Sequence, residues 1–278
     1  MGWTLTDDLQ EFLARADGFL RRDPVANTVA LTVTDTLREQ GPGVYGKTLF
    51  GWWTDAGPVE GTVLRTGTYP PLLSAMPERA ARELARALAR RGEAVPDVNG
   101  EQAVAGAFAG AWLDETGAAG RVTQRQRLYR LDRLTVPDPP PDGAARVASA
   151  ADRGLLREWF TAFDREAGGP GGVNPAVFDR RLADGLITLW EDGGRPVAAA
   201  GRTRAVAGVA RVAPVYTPVE HRRRGYGAAV TAAVTRAALD AAVTGVVLFT
   251  DLANPTSNGV YQRIGFRPVE DRVVLAFT

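Results

Sequence analysis

Apolar residues recur at three- and four-residue intervals through Leu9, Phe12, Leu13, Ala16, Phe19 and Leu20, predicting an amphipathic helix over residues 6–22. Asp7 and Asp8 suit its N-terminal end, and Asp23-Pro24 closes it. A second helix is expected over 25–40, stopped by Gly41-Pro42-Gly43. Residues 48–53 and 59–65, joined by Asp55-Ala56-Gly57-Pro58, read as a hairpin. Helices follow at 78–91 and 100–116, the latter with Val104, Phe108, Ala111 and Trp112 on one face, and a strand at 126–134.

Residues 136–143, Val-Pro-Asp-Pro-Pro-Pro-Asp-Gly, interrupt the pattern, because proline lacks the amide donor that helices and inner strands need. The domains expected are therefore 1–135, a linker at 136–143 and 144–278. The second domain reads as a strand at Val147, a helix over 152–165 with Leu155, Leu156, Trp159, Phe160 and Phe163 inward, a Gly-rich loop at 168–172, and a helix over 175–184. Strands at 187–191, 196–203 and 208–217 come next, then a helix over 227–244, a strand at 246–250, a helix over 255–263 and a strand pair over 267–277. Val246 to Phe249 is apolar without alternation, the mark of a strand buried on both faces in a parallel crossover.

Between the strand at 208–217 and the following Ala-rich helix lies Val215-Tyr216-Thr217-Pro218-Val219-Glu220-His221-Arg222-Arg223-Arg224-Gly225-Tyr226-Gly227-Ala228. The first amides of a helix lack intrahelical acceptors and carry the positive end of its dipole, so an anion is stabilised there. Gly225 and Gly227 let the backbone turn tightly and approach a ligand, and Arg222, Arg223 and Arg224 add charge. A Walker loop needs Lys-Ser/Thr after its second glycine, and a dinucleotide turn needs three spaced glycines; neither is present.

Composition narrows the chemistry. The 278 residues carry a net charge of +1 and no cysteine. Disulfides, thiolate ligands and cysteine nucleophiles are thereby excluded, and a whole-molecule field attracting nucleic acid or membrane is not expected. Lys47 is the only lysine, and His221 the only histidine, too few for a His-rich metal site. No apolar run approaches the ~20 residues of a membrane span, so a cytoplasmic protein that contacts neither nucleic acid nor membrane is expected, as a monomer or homodimer.

Arg222, Gly225 and Gly227 fit the pyrophosphate-loop spacing of the GNAT acetyltransferase superfamily, and the order of elements over 146–278 resembles a GNAT domain. The hairpin with Pro196-Val197, the strand end Val215-Tyr216-Thr217-Pro218, and Asn254 followed by Tyr261 and Gly265-Phe266 resemble further superfamily features. The resemblance implies a mixed α/β GNAT acyl-CoA N-acyltransferase fold. Residues 1–135 resemble a second, degenerate GNAT-type domain in outline, the alternative being an unrelated helical cap; they have no counterpart to Arg222, Gly225 and Gly227.

It further implies acetyl-CoA as the acyl donor, no metal, and a small-molecule amine or peptide as acceptor. The donor would be held by the main chain of Val215, Tyr216 and Thr217 and by residues 222–228 around the pyrophosphate, with Asn254 and more weakly Asn258 in reach. Tyr261 would be the acid that protonates the leaving thiolate. Asn254 also suits a helix cap ahead of Pro255. No carboxylate lies in the central strand, leaving Glu166, at the mouth of the Gly-rich loop, as candidate base beside a water-mediated route. His221 reads as a loop residue, and Trp52, Trp53, Trp112 and Trp159 as core. The Arg-rich helix over 78–91 reads as a solvated face. The acceptor stays open among amino acids, polyamines, antibiotics, peptide N-termini and lysines. The functional alternative is a CoA-binding sensor without turnover.

Overall fold

The computed structural model describes residues 2–67, 69–169 and 172–278, and the chain divides into two units, Met1–Arg127 with Glu270–Thr278, and Leu128–Val269. Pro170 and Gly171 of the expected Gly-rich loop lie outside the described residues.

The first unit runs β1 (Gly2–Thr6), α1 (Leu9–Arg22), α2 (Thr28–Gln40), β2 (Thr48–Thr54), β3 (Val59–Thr66), β4 (Leu72–Leu73), α3 (Glu78–Arg90), β5 (Asp97–Glu101), α4 (Gln102–Thr116) and β6 (Gly120–Leu131). Helix α1 starts later than its apolar spacing suggests, because the Asp8 carboxylate caps it by accepting from the Gln10 and Glu11 amides. The β2–β3 hairpin forms as expected, with Phe50 opposite Leu64 and Trp52 opposite Thr62. Strands β1, β4 and β5, all short, are additions, β5 taking the first two residues of the helix expected over 100–116; β4 and β5 pair in parallel at Leu72 and Asn99. The core joins Leu49, Val63, Leu73, Leu84, Leu88, Phe108 and Trp112 to Val273 and Phe277 from the far end of the chain.

The second unit runs from the end of β6 through β7 (Ala144–Val147), α5 (Arg153–Glu166), α6 (Pro175–Ala183), β8 (Ile187–Asp192), β9 (Arg195–Arg202), β10 (Val209–Tyr216), α7 (Tyr226–Asp240), β11 (Gly245–Asp251) and α8 (Pro255–Arg263) into β12 (Phe266–Phe277). The sheet order here is β6-β11-β10-β9-β8-β7. β10 and β11 are parallel across α7, the expected crossover. Leu156, Trp159 and Phe160 of α5 pack with Phe178, Leu189 and Tyr216, while Tyr129, Trp190, Tyr226, Val230, Leu248, Tyr261 and Phe266 form the cluster on the other face. Trp52, Trp53, Trp112 and Trp159 are all buried.

Two features differ from the sequence reading. The expected strand pair at the C-terminus is one long strand, β12, whose last residues leave the second unit and pair antiparallel with β5 of the first, Arg272 opposite Glu101 through Ala276 opposite Asp97. The compact units are also not divided at the proline-rich stretch: 128–143 packs within the second unit and 270–278 within the first. The Trp190 indole donates to the Asp142 carbonyl, and a Cβ on Gly143 would strike the Glu191 carbonyl, so this stretch is fastened along β8 instead of spanning solvent. Each unit nevertheless runs strand, two helices, hairpin, strand, helix, strand, helix, strand. The first therefore contributes its own run of paired strands, β1-β2-β3-β4-β5, as a degenerate repeat requires and a helical cap does not.

Candidate functional site

Strand β10 positions the site. It pairs with β11 from Val209 to Arg211, and with β9 at Val212, then again at Val215 and Tyr216 after a bulge. The ladder to β11 ends at Arg211 opposite Val247, while β11 continues to Asp251. Among the described residues, the main chain of Val212 to Tyr216 thus runs past β11 without a ladder, although the Ala213 carbonyl accepts from Arg181 and Pro214 has no amide.

Beyond Tyr216 the chain passes Thr217 and a 3₁₀ turn at Val219–His221, then reaches α7 through two left-handed residues. Arg223 has φ 64° and Gly225, the N-cap of α7, has φ 85°. An L side chain in that region is costly, which Arg223 bears and Gly225 avoids. The reversal leads into the first turn of a 15-residue helix, at the positive end of its dipole, with no side-chain cap at Gly225. A Cβ at Gly227 would meet only the Thr217 hydroxyl, at 3.4 Å, so internal packing does not demand glycine there.

The side chains around this turn have specific partners. Arg222 does not point into the cradle. Its Nε donates to the Thr217 carbonyl at 2.9 Å, its Nη2 to both Glu166 oxygens at 2.9 and 2.7 Å, and its guanidinium lies 5.8 Å from the Tyr216 ring centroid. The Tyr216 hydroxyl reaches the same carboxylate at 3.4 Å, and its ring tilts against Trp159. Burial, then the Glu166 charge, raise the Tyr216 pKa. Arg223 and Arg224 are exposed, so these two supply the open positive charge at the loop. Tyr226 is buried and donates to Asp192 at 2.5 Å, fixing the start of α7 to the β8 end. Ala228 lies in the first turn of α7, partly exposed. His221 packs edge-on to Tyr226, and its Nδ1 is buried without a hydrogen-bond partner among the described residues.

Helix α8 supplies the remaining candidates. Asn254 caps it, accepting from the Ser257 amide at 3.0 Å with Pro255 at the first position. Asn258 is saturated: its amide donates to the Asp251 and Asn254 carbonyls, and its oxygen accepts from Tyr129 at 3.0 Å. Gln262 donates to the same Tyr129 hydroxyl, so Asn258 ties α8 to β11 and β6. Tyr261 is 9% exposed, edge-on to Phe266, and burial pushes its pKa up to about 12. Its hydroxyl makes no hydrogen bond among the described residues.

The structure thus gathers Val215 to Thr217, the 222–228 turn and Glu166 around one end of β10, while Asn258 is committed to holding α8. The pairing of Arg222 with Glu166 had no signal in the sequence, where the partners stand 56 residues apart. The Asp192–Tyr226 bond was equally hidden.

The first unit offers a contrast. Its corresponding strand-to-helix passage, from β4 to α3, is Ser74-Ala75-Met76-Pro77, with Pro77 as N-cap and Glu78 in the first turn. Proline provides no amide and glutamate repels an anion. A nearby cavity of about 10 Å³, the size of one water, is lined by Asn27, Thr62, Leu73, Ser74 and Arg272. Among the described residues no cluster of acidic, histidine or cysteine side chains could hold a metal, and no helix is long and apolar enough to cross a membrane.

Residues 154–266 match the family model described as "Acetyltransferase (GNAT) family". No curated protein matches the chain significantly. Among solved structures, a GCN5-related N-acetyltransferase from Sphaerobacter thermophilus is similar with TM-score 0.65 and 15% identity, covering 98% of this chain and 94% of that one. Another, from Kribbella flavida, has TM-score 0.53 and 22% identity, over 78% of this chain and 87% of its own. A tandem GNAT protein from the clavulanic acid biosynthesis pathway has TM-score 0.58 and 14% identity, covering 99% of this chain and 98% of that one. At such identities the likeness is one of fold, and it extends over both units.

Proposed function

Because residues 154–266 match the acetyltransferase (GNAT) family model, we propose that this protein is an acetyl-CoA-dependent N-acetyltransferase whose donor site is the end of β10 with the turn at 222–228. The observation that carries the reading is the turn itself. Its two left-handed residues present helix amides to an anion, and Gly227 is a glycine that the protein's own packing does not require. A pyrophosphate lying against the backbone accounts for both, and the unpaired edge of β10 fits the pantetheine arm.

The acceptor amine attacks the thioester carbonyl carbon, forming the N–C bond of a tetrahedral intermediate. Its collapse breaks the C–S bond and restores the carbonyl as an amide. The amine's proton passes to Glu166, and the sulfur departs as a thiolate that accepts a hydrogen bond from the Tyr261 phenol and takes its proton from solvent. A phenol raised to about 12 remains protonated at neutral pH and serves chiefly as a hydrogen-bond donor to the developing thiolate. Positioning supplies much of the remaining rate. The acceptor is a small-molecule amine or a peptide N-terminus. Release of free CoA thiol from acetyl-CoA with a panel of such amines tests the assignment; tight CoA binding with no turnover on any of them would replace it with a donor-binding sensor.

A further inference from the structure

Helix α8 carries Tyr261 on nine residues, and Tyr261 is the one buried among them. Apolar burial thus anchors α8 mainly at that side chain, and polar contacts must fix the rest. Two of them meet at Tyr129, a fully buried residue near the end of β6, whose hydroxyl lies 3.0 Å from the Asn258 side-chain oxygen and 3.0 Å from the Gln262 amide nitrogen. The direction of each bond follows. The Asn258 amide commits both hydrogens to the Asp251 and Asn254 carbonyls, at 2.8 Å each, so its oxygen faces Tyr129 and accepts. Tyr129 gives it the single phenolic hydrogen and accepts from Gln262 in turn. With about 100° of turn per residue, Asn258 stands about 60° from Tyr261 around the helix, and Gln262 about 100° to the same side. Tyr129 therefore grips α8 along the flank beside Tyr261.

We propose that Tyr129 is a positioning residue for the reaction: through Asn258 and Gln262 its hydroxyl sets the rotation of α8, and with it the place of the Tyr261 phenol. This rests on the reading of Tyr261 as hydrogen-bond donor to the departing sulfur, and adds a residue that stands outside the 154–266 match. Being fully buried, Tyr129 cannot touch a substrate itself. Its ring belongs to the cluster that holds Tyr261 and Phe266, so the hydroxyl can be removed without emptying that core. What is lost is the partner of two side chains on one flank of α8. A shift of about 1 Å in a catalytic group is enough to lower a rate by one to two orders of magnitude.

The test is a double-mutant cycle on the full chain, with kcat and the acetyl-CoA KM measured for Tyr129→Phe, Gln262→Ala, Tyr261→Phe and the Tyr129→Phe/Tyr261→Phe pair, on the amine found by thiol release. Gln262 is exposed, so its substitution removes one arm of the contact without touching the core. Tyr129→Phe should lower kcat about tenfold and Gln262→Ala about threefold, with KM within about twofold of the unsubstituted value. Once Tyr261 is phenylalanine, Tyr129→Phe should lower kcat no further, because its effect passes through the phenol. A second tenfold loss in the pair would reduce Tyr129 to scaffold and overturn the proposal, as would full kcat in Tyr129→Phe. Without any substrate, the Ile264 amide, bonded to the Val260 carbonyl, should exchange about tenfold faster in Tyr129→Phe while α7 is unchanged; equal rates would also overturn it. An unsubstituted protein without turnover, or a Tyr261→Phe variant at full rate, would remove the reading of Tyr261 and the role of Tyr129 together, whereas turnover that needs Tyr261 but not the Tyr129 hydroxyl would remove the latter alone.

Discussion

Gly225 and Arg223 share a left-handed backbone, yet substitution should separate them sharply. Gly225→Val places a branched side chain at φ 85°, where strain is about 1–2 kcal/mol or more, and turns the α7 amides from the donor. Arg223→Ala keeps a conformation already borne by an L residue and removes only an exposed charge. CoA dissociation constants should therefore rise about tenfold or more for Gly225→Val and severalfold or less for Arg223→Ala; the reverse ranking would show that charge, not backbone shape, holds the donor. Tyr261 is tested on the rate. Tyr261→Phe preserves the ring against Phe266 and removes the proton, so kcat should fall by about 10²-fold while CoA affinity is unchanged. With the phenol at about 12, ionisation of Tyr261 should not produce an alkaline limb in the kcat profile below about pH 11.

Among the elements, the start of α5 has the strongest electrostatic fastening in the second unit. Asp152 accepts from Arg146 at 2.7 and 2.8 Å and from the Ser149 amide at 2.8 Å, and these bonds, the Arg146 ones foremost, hold its carboxyl well below the usual carboxylate range. A depressed carboxyl stabilises the fold above its unfolded value of about 3.9 and loses that contribution as pH falls below it. Asp152→Asn should cost about 2 kcal/mol at pH 7, read by urea denaturation, and less at pH 3, where the unfolded chain takes up a proton at this carboxyl and the folded protein does not.

How much of each element was legible follows from how local its cause is. α8 begins and ends where Asn254-Pro255 and Gly265 predict, since capping is written within a few residues. The turn into α7 was legible for the same reason, its glycines standing two apart. β4, two residues long, and β5, which passes into α4 without a turn, have no periodicity of their own and exist because neighbouring strands pair with them. The proline-rich stretch has a linker's composition, but the Trp190 indole and the backbone at Glu191, distant in sequence, hold it in place. Glu166 was legible as a carboxylate near a loop; that it faces an arginine from the donor turn was not.

On the scale of the whole molecule, the last residues of the chain belong to the first unit. Val273 and Phe277 sit in its core, and Arg272, 4% exposed with burial lowering its pKa, donates to Glu270, Asn99 and the Leu73 carbonyl. Arg272→Ala removes one partner of a buried pair and should destabilise the first unit by about 3 kcal/mol. Removing Glu270–Thr278 should abolish amide-exchange protection in β5, which loses its ladder to β12, while α7 and β11 keep theirs. Protection retained in β5 after truncation would show that the first unit stands without its borrowed strand.

That borrowed strand also sets a clock. A chain emerging from the ribosome at about 5–20 residues per second needs roughly 7–30 s to pass from the end of the first unit's leading segment, Arg127, to its closing one, Glu270–Thr278. Throughout that interval the β5 edge and the apolar surface meant for Val273 and Phe277 stay open to other strands. The half of the chain made first is thus completed last, and nascent protein should depend on chaperones at this edge more than at any other.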